Sequence, residues 1–390
     1  MRRVVIVEAV RTPIGRLRGG LAEVRADHLG AVVLNELRDR TGIRALDVED
    51  VVFGCVTQVG EQCANIGRTA LLSAGWPDCI PGMTVDRKCG SSEAAIHTAI
   101  GEIASGMFEI VVAGGAESMT RVKMGGNREI YGDAFGWALQ NKHPQVSQGE
   151  AAERIADRWG LSREDLDEFA SESQRRAAAA ADAGLFNREI VPVDRLKWRE
   201  TGAVGGSSIL LEDETIRRDT TKDKLASLKP SFRENGRITA GNSSQICDGA
   251  AAVLLMDEER AVQLGVRPRA RIRSIVAVGS DPTLMLLGPI EATKKALERA
   301  ELNVEDIDLF EVNEAFAVVP LVWRKEIGVG ADKLNVNGGA IALGHPLGAT
   351  GARIMTTLLH ELERRNARFA LQTICCAGGL GTATIIERLN

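Results

Sequence analysis

Aromatic side chains are scarce in this chain: one Tyr, five Trp and nine Phe among 390 residues. Its cores must be packed with Ala, Val, Ile and Leu, while 41 glycines serve turns and close backbone approaches. Basic runs are missing and the net charge is −5, which argues against a nucleic-acid partner. No apolar run reaches the ~18–20 residues of a membrane span. The seven cysteines are odd in number and show neither a disulfide-framework nor a zinc-type spacing, so no metal site is expected and a reducing cytoplasm is. Met1 to Glu8 reads as a strand, its apolar run too short and too soon acidic for a signal peptide. The ending Arg388-Leu389-Asn390 matches no address signal.

What is present is a hydrophobic content of 44% over a length that suits two or three domains of roughly 100–200 residues. Val4 to Val7 is a strand, Leu21 to Leu37 an amphipathic helix, Val51 to Val56 a buried strand and Asn65 to Ala74 a helix. Met83 to Val85 is a strand, and Phe108 to Ala113 another, ending at Gly114-Gly115-Ala116-Glu117-Ser118-Met119. This alternation predicts a mostly parallel sheet with helices on both faces. Residues 120–148 lose the rhythm, 150–183 are strongly helical and 199–235 are polar and irregular. We read 119–245 as an excursion covering one end of the sheet. A small-residue loop, Ile238 to Ser244, leads to a helix start at Asp248-Gly249-Ala250. Alternation resumes with Ala270 to Val278 (strand), Ile290 to Ala300 (helix), Ile307 to Val312 (strand), Gly348 to Arg365 (helix) and Phe369 to Cys375 (strand). The second half faintly echoes the first, and ligands bind where the loops of two such halves meet.

Val85-Asp86-Arg87-Lys88-Cys89-Gly90-Ser91-Ser92 stands before a helical run, Glu93 to Ile100. Gly90 and the serines suit a sharp turn and a helix start, placing Cys89 at the positive end of the helix. The macrodipole, with Arg87 and Lys88 nearby, is expected to lower the thiol's pKa. A buried structural cysteine is the alternative, but an inert thiol needs none of these flanking residues. His345, between Gly344 and Pro346 in a glycine-dense loop, is weighed as its base against an ordinary satisfied side chain. Cys375 ends a strand; it reads as a core cysteine or an acid–base group, and Cys376 suits the core role better. Asn313 ends another strand, where a turn or cap residue is the plain reading.

Taken together, the chain resembles the thiolase family of acyl-CoA acyltransferases from end to end. The resemblance rests on Cys89-Gly90-Ser91-Ser92, Gly114 to Met119, Ala240-Gly241-Asn242, Asn313-Glu314-Ala315-Phe316-Ala317, Asn337 to Pro346 and Cys375-Cys376-Ala377-Gly378-Gly379, in family order. It implies an α/β thiolase fold: two similar halves, 1–267 and 268–390, with mixed sheets packed in layers and a loop domain inserted at about 119–245. It implies Cys89 as the acylated nucleophile, His345 as its base and Cys375 as the second acid/base. Asn313 would hold a water that, with His345, forms one oxyanion hole; the N–H groups of Cys89 and Ala377 would form the other. Ser244 is similar to the serine that meets the pantetheine arm, Arg217 to a CoA-binding residue, and Phe316 and Met285 to apolar pocket residues. Coenzyme A is then a substrate, with no prosthetic group. A homodimer or homotetramer is implied, assembled partly through 119–150, with β-oxidation enzymes as partners.

The departures from the family pattern bear on substrate. Ala377 replaces a frequent glycine but keeps its N–H. Asp86 replaces a common asparagine. Ser147-Gln148 stand where short-chain biosynthetic enzymes have His-Met, so Gln148 is expected to line a different acyl pocket. We therefore expect a degradative thiolase acting on a longer or bulkier 3-ketoacyl-CoA. A biosynthetic acetoacetyl-CoA thiolase and a non-catalytic lipid- or CoA-binding relative are the alternatives. If Cys89 and Cys375 face one substrate, oxidation could join them as a disulfide.

Overall fold

The computed structural model describes residues 2–128, 132–199 and 207–389. The expectations for 120–148 and 199–235 therefore fall partly outside the described residues. Nine strands form one continuous path: β1 (Val4–Arg11), β2 (Asp50–Gly54), β3 (Met83–Val85), β4 (Ile110–Ser118), β5 (Cys247–Asp257), β6 (Ala270–Gly279), β7 (Leu309–Val312), β8 (Phe369–Cys376) and β9 (Leu380–Arg388). Their order is β7-β8-β9-β6-β1-β5-β4-β2-β3.

The order contains a repeat. In the first half the sheet runs β3-β2-β4-β5-β1, and in the second a bridge at Leu334 is followed by β7-β8-β9-β6. The two halves use their strands in the same sequence, and they meet antiparallel at β1 and β6 through only Val5 with Arg271 and Ile6 with Ala270. The excursion has a counterpart too. Residues 119–246 separate β4 from β5, whereas Ala377 to Gly379 alone join β8 to β9. We propose the boundary between the halves near residue 267, in the link from β5 to β6.

The sheet is mixed rather than mostly parallel. β2 pairs parallel with β3 and β4, and β7 with β8, while β1 with β5, β4 with β5, β8 with β9 and β9 with β6 are antiparallel. β9 follows β8 after three residues, too few for a crossover helix, so it must run against it. The expected helix start at Asp248 is instead β5, whose eleven residues are all buried. A strand covered on both faces reads as a continuous small-apolar run, which periodicity cannot tell from a buried helix. For the same reason β4 continues through Gly114 and Gly115 to Ser118.

Helices lie in three layers around the two sheet halves. α1 (Ala26–Thr41) and α2 (Ile66–Ser73) cover the outer face of the first half, where Leu29, Val33 and Leu71 meet Val51, Phe53 and Val112. α6 (Gly288–Ala300) and α7 (Val318–Ile327) cover the second, where Ala296 and Trp323 meet Phe310 and Leu371. Between the halves lie α3 (Ser91–Ser105) and α8 (Thr350–Arg364), sharing a core with Ile6 and Val52 on one side and Leu309 and Ile386 on the other. The Ser92 hydroxyl accepts from the Ala352 amide at 3.0 Å, locking the two central helices together. The excursion contributes α4 (Gln148–Trp159) and α5 (Arg163–Asp182), the latter opened by a Ser162/Asp165 capping box. No described helix is long and apolar enough to cross a membrane.

Candidate active site

The loops at one end of the layered sheets converge on Cys89. It stands just before α3, which Gly90 caps. Lys88 adopts φ +51°, and Asp86 holds this elbow: its carboxylate accepts the Lys88 amide at 2.8 Å and the Lys88 ammonium at 2.5 Å. That gives the Asp86 departure a local role. A Cβ on Gly90 would come within 2.7 Å of Cys376 Sγ, so only glycine lets the elbow sit against β8. Cys376 is buried in that contact, as its core reading expects.

Cys89 is 3% exposed and shares an apolar cluster with Leu347, Ile374 and Cys376. Burial pushes its thiol up to about 11; the nearby N–H groups of Ala377 and of Cys89 itself and the charge of Lys88 pull the other way. The expected lowering is thus overturned. Loss of solvation outweighs the helix end, whose field is worth only ~0.3–1 kcal/mol at an ordinary site. Cys375 is fully buried; its thiol is raised by burial first and then by the nearby Cys89 sulfur.

His345 is 4% exposed, and burial, followed by the charge of Arg353, lowers its imidazole to about 3. Its Nδ1 lies 2.6 Å from Thr350 Oγ1. The Thr350 hydroxyl donates its one hydrogen to the Pro346 carbonyl at 3.0 Å, so it can only accept from the ring. This assigns the Nδ1–H tautomer and leaves the Nε2 lone pair buried and with no partner among the described residues. Asn313 likewise keeps both amide atoms buried without a described partner. Its main-chain N–H donates to Thr373, two residues before Cys375.

Phe316, Met285 and Cys375 belong to one apolar cluster, and Met285 adopts φ +30°. Phe232, which sequence reasoning passed over, sets its ring edge-on to Phe316 at 5.9 Å and packs on Gly149. Gln148, half-buried, begins α4 beside that wall. The Ser244 amide donates to Ala315 at 3.0 Å, which ties the small-residue loop to the Asn313–Ala317 segment. Arg217 is exposed, on a cleft of about 200 Å³ shared with Lys224, Leu228, Ala240 and Gly241.

Three further residues build the site. Thr350 is one. Glu117, inside a motif already noted, accepts the amides of Val56, Thr57 and Gly348 at 2.8–2.9 Å, tying the His345 loop to the first half. Gly115 makes that approach possible, since a Cβ there would lie 2.0 Å from the Gly348 carbonyl. Glu314 accepts from Ser173, Asn335 and the Ile341 amide, joining the Asn313 segment to α5 and to the loop before His345. Glu314 had no signal beyond its place in a motif, because Ser173, Asn335 and Ile341 come from other segments; Thr350 is only five positions past His345, but sequence does not show that the turn brings its hydroxyl to the ring.

Comparison with known proteins identifies the family. Family models match at residues 4–259 (thiolase, N-terminal domain) and 266–388 (thiolase, C-terminal domain). The acetyl-CoA acetyltransferase of Chromobacterium violaceum is 45% identical over 99% of each chain. Steroid 3-ketoacyl-CoA thiolase FadA6 of Mycobacterium tuberculosis is 44% identical over 100% of this chain and 95% of its own. The 3-ketoacyl-CoA thiolase of Bacillus subtilis is 43% identical over 99% and 100%. The crystal structure of the Bacillus anthracis acetyl-CoA acetyltransferase superposes with a TM-score of 0.91 at 39% identity, covering 100% of this chain and 99% of that one. With its two matched domains, repeated sheet order and convergent Cys89 and His345 loops, this chain belongs to the thiolase family.

Proposed function

We propose that the protein is a degradative acyl-CoA C-acyltransferase that cleaves 3-ketoacyl-CoA with coenzyme A. The observation that carries the reading is the buried Cys89 sulfur at the start of α3, with the backbone N–H groups of Cys89 and Ala377 beside it. Two amide donors beside a nucleophile are suited to the oxyanion formed when a thioester carbonyl is attacked. The thiol and the imidazole both rest neutral, so the proton transfers as attack occurs, when the donors stabilise the developing charge.

In the first half-reaction the Cys89 thiol gives its proton to His345 Nε2 and its sulfur attacks the 3-keto carbon. The bond between C2 and C3 breaks, leaving the enolate of acetyl-CoA, with its oxygen facing His345 and an Asn313-held water. Cys375 protonates that carbon, and acetyl-CoA leaves. In the second, Cys375 takes the proton of the CoA thiol, whose sulfur attacks the acyl-Cys89 carbonyl. Shortened acyl-CoA leaves as Cys89 recovers its proton from His345. Ser244, Phe316 and Met285 line the pantetheine and acyl path, Gln148 its far wall, and Arg217 faces the phosphate end of CoA. No prosthetic group is needed. A cytoplasmic homodimer or homotetramer working with other β-oxidation enzymes fits this role.

Relatives named 3-ketoacyl-CoA thiolase, one of them for steroid substrates, favour degradation of longer or bulkier chains. The relative named acetyl-CoA acetyltransferase supports a second reading, condensation of two acetyl-CoA. Thiolysis kcat/KM across acyl lengths and ring-bearing acyl groups separates the two; a strong preference for acetoacetyl-CoA would reject our choice. Intact mass after adding 3-ketoacyl-CoA without CoA should show an acyl adduct that is absent from Cys89→Ser. CoA binding without any adduct would instead indicate a non-catalytic binding protein.

A further inference from the structure

A second concave site lies at the far end of α8. It is a cleft of about 570 Å³ where α1 ends, β6 begins and β9 finishes. Five arginines line it, Arg40, Arg188, Arg267, Arg269 and Arg388, against two carboxylates, Glu8 and Glu363. The chain as a whole carries −5, so this concentration of positive charge runs against its average.

The two carboxylates are already engaged. Both oxygens of Glu363 accept from the buried Arg269, at 2.8 and 2.9 Å, and Glu8 pairs with the same guanidinium. Arg188 reaches Glu363 only at 3.6 Å and its side chain is 74% exposed. Arg388 donates from Nε and one Nη to the carbonyls of Ala367 and Asn366, and its charge has no counter-ion among the described residues. Arg267 is exposed and has no partner among the described residues. Arg40 pairs with Glu36 and donates to the Arg188 carbonyl, which holds the rim of the cleft in place. Like charges gathered in a concave surface focus the field and raise the local concentration of anions.

We propose that this cleft binds a phosphate-bearing anion of nucleotide size through Arg188, Arg267 and Arg388. Guanidinium forks match phosphate oxygens in pairs, so several of them converging suit a diphosphate or triphosphate better than one carboxylate. The volume falls in the ~300–1,000 Å³ range of small-molecule sites. The cleft is not the CoA path. Glu363 follows Thr350, the partner of His345, by thirteen positions on α8, roughly 20 Å at ~1.5 Å per residue. Nor does it share a lining residue with the cleft at Arg217.

The test is calorimetric titration of the full chain with sodium pyrophosphate and with ATP, at low and at physiological salt. Binding should be seen that Arg188→Glu/Arg267→Glu weakens at least tenfold while the melting temperature and thiolysis rate stay at parental values. ATP binding far tighter than pyrophosphate assigns a nucleotide; equal binding assigns the diphosphate alone. Absence of binding, equal affinity in the variant, or tighter binding of polyglutamate through the same arginines would each overturn the proposal.

Discussion

Thr350→Val replaces a hydroxyl by a methyl of nearly the same size at the residue that orients His345. In the parent, Thr350 Oγ1 accepts from Nδ1–H at 2.6 Å and donates to the Pro346 carbonyl at 3.0 Å. The Pro346 carbonyl keeps a second donor, the Ala349 amide at 2.8 Å, so the loss falls on the imidazole. A buried donor left unsatisfied costs about 1–3 kcal/mol. The ring can relieve that cost by moving its proton to Nε2, and it then ceases to be a base toward Cys89. At 1.36 kcal/mol per decade, kcat/KM for thiolysis should fall roughly 5- to 150-fold. Thr350→Ser keeps the hydroxyl and should recover most of the rate, which separates the hydrogen bond from packing. The assay is initial-rate thiolysis for all three proteins, with melting temperatures recorded alongside. A valine variant within twofold of the parent, or a serine variant as impaired as the valine one, would refute the tautomer argument.

Two other outcomes follow from burial. With its thiol pushed up to about 11, Cys89 in the free enzyme should be alkylated by iodoacetamide at a rate rising nearly tenfold per pH unit to pH 9. Peptide mapping of the labelled site checks this, and a plateau near pH 7 would restore a thiolate stabilised by the helix end. Glu93, fully buried under β9 and bonded by Thr382 and Thr384, is raised by burial from 4.5 to about 7. The folded state holds this proton more tightly, so its contribution is complete below pH 4.5 and is lost as pH rises through about 7. Over that window stability should fall by about 3 kcal/mol. Denaturant unfolding of Glu93→Gln from pH 5 to 8 should lack this component, and an unchanged slope would exclude Glu93 as its source.

Much of the site was legible before any fold was drawn, because chemistry-bearing residues sat in loops of glycine and small side chains. Cys89 before a helix, His345 in a glycine-dense loop, and Cys375 and Asn313 at strand ends all occupy those places. Other features were hidden by two-sided burial. β5 and β4 carry no alternation, so one read as a helix start and the other as stopping at its glycines. β9 escaped notice although Thr382, Thr384 and Ile386 face the central helices while Ala383 and Ile385 face the outer layer. α8 buries thirteen of its fifteen residues, among them Arg353, His360 and Glu361, which a search for an apolar stripe cannot anticipate.

Residue order alone determined which side chains could do chemistry and that each would stand at the end of an element, since glycine, proline and small residues constrain the backbone locally. It also determined the two-part plan, because each half carries the same succession of strands. Only the tertiary structure decided the protonation states, the tautomer and the sense of strand pairing. The first and last depend on solvent exclusion and on partners hundreds of positions away: Cys89 is desolvated by β8 and by the His345 loop, and Glu117 reaches Gly348 across the join between halves; the tautomer depends on how the turn from His345 to Thr350 folds.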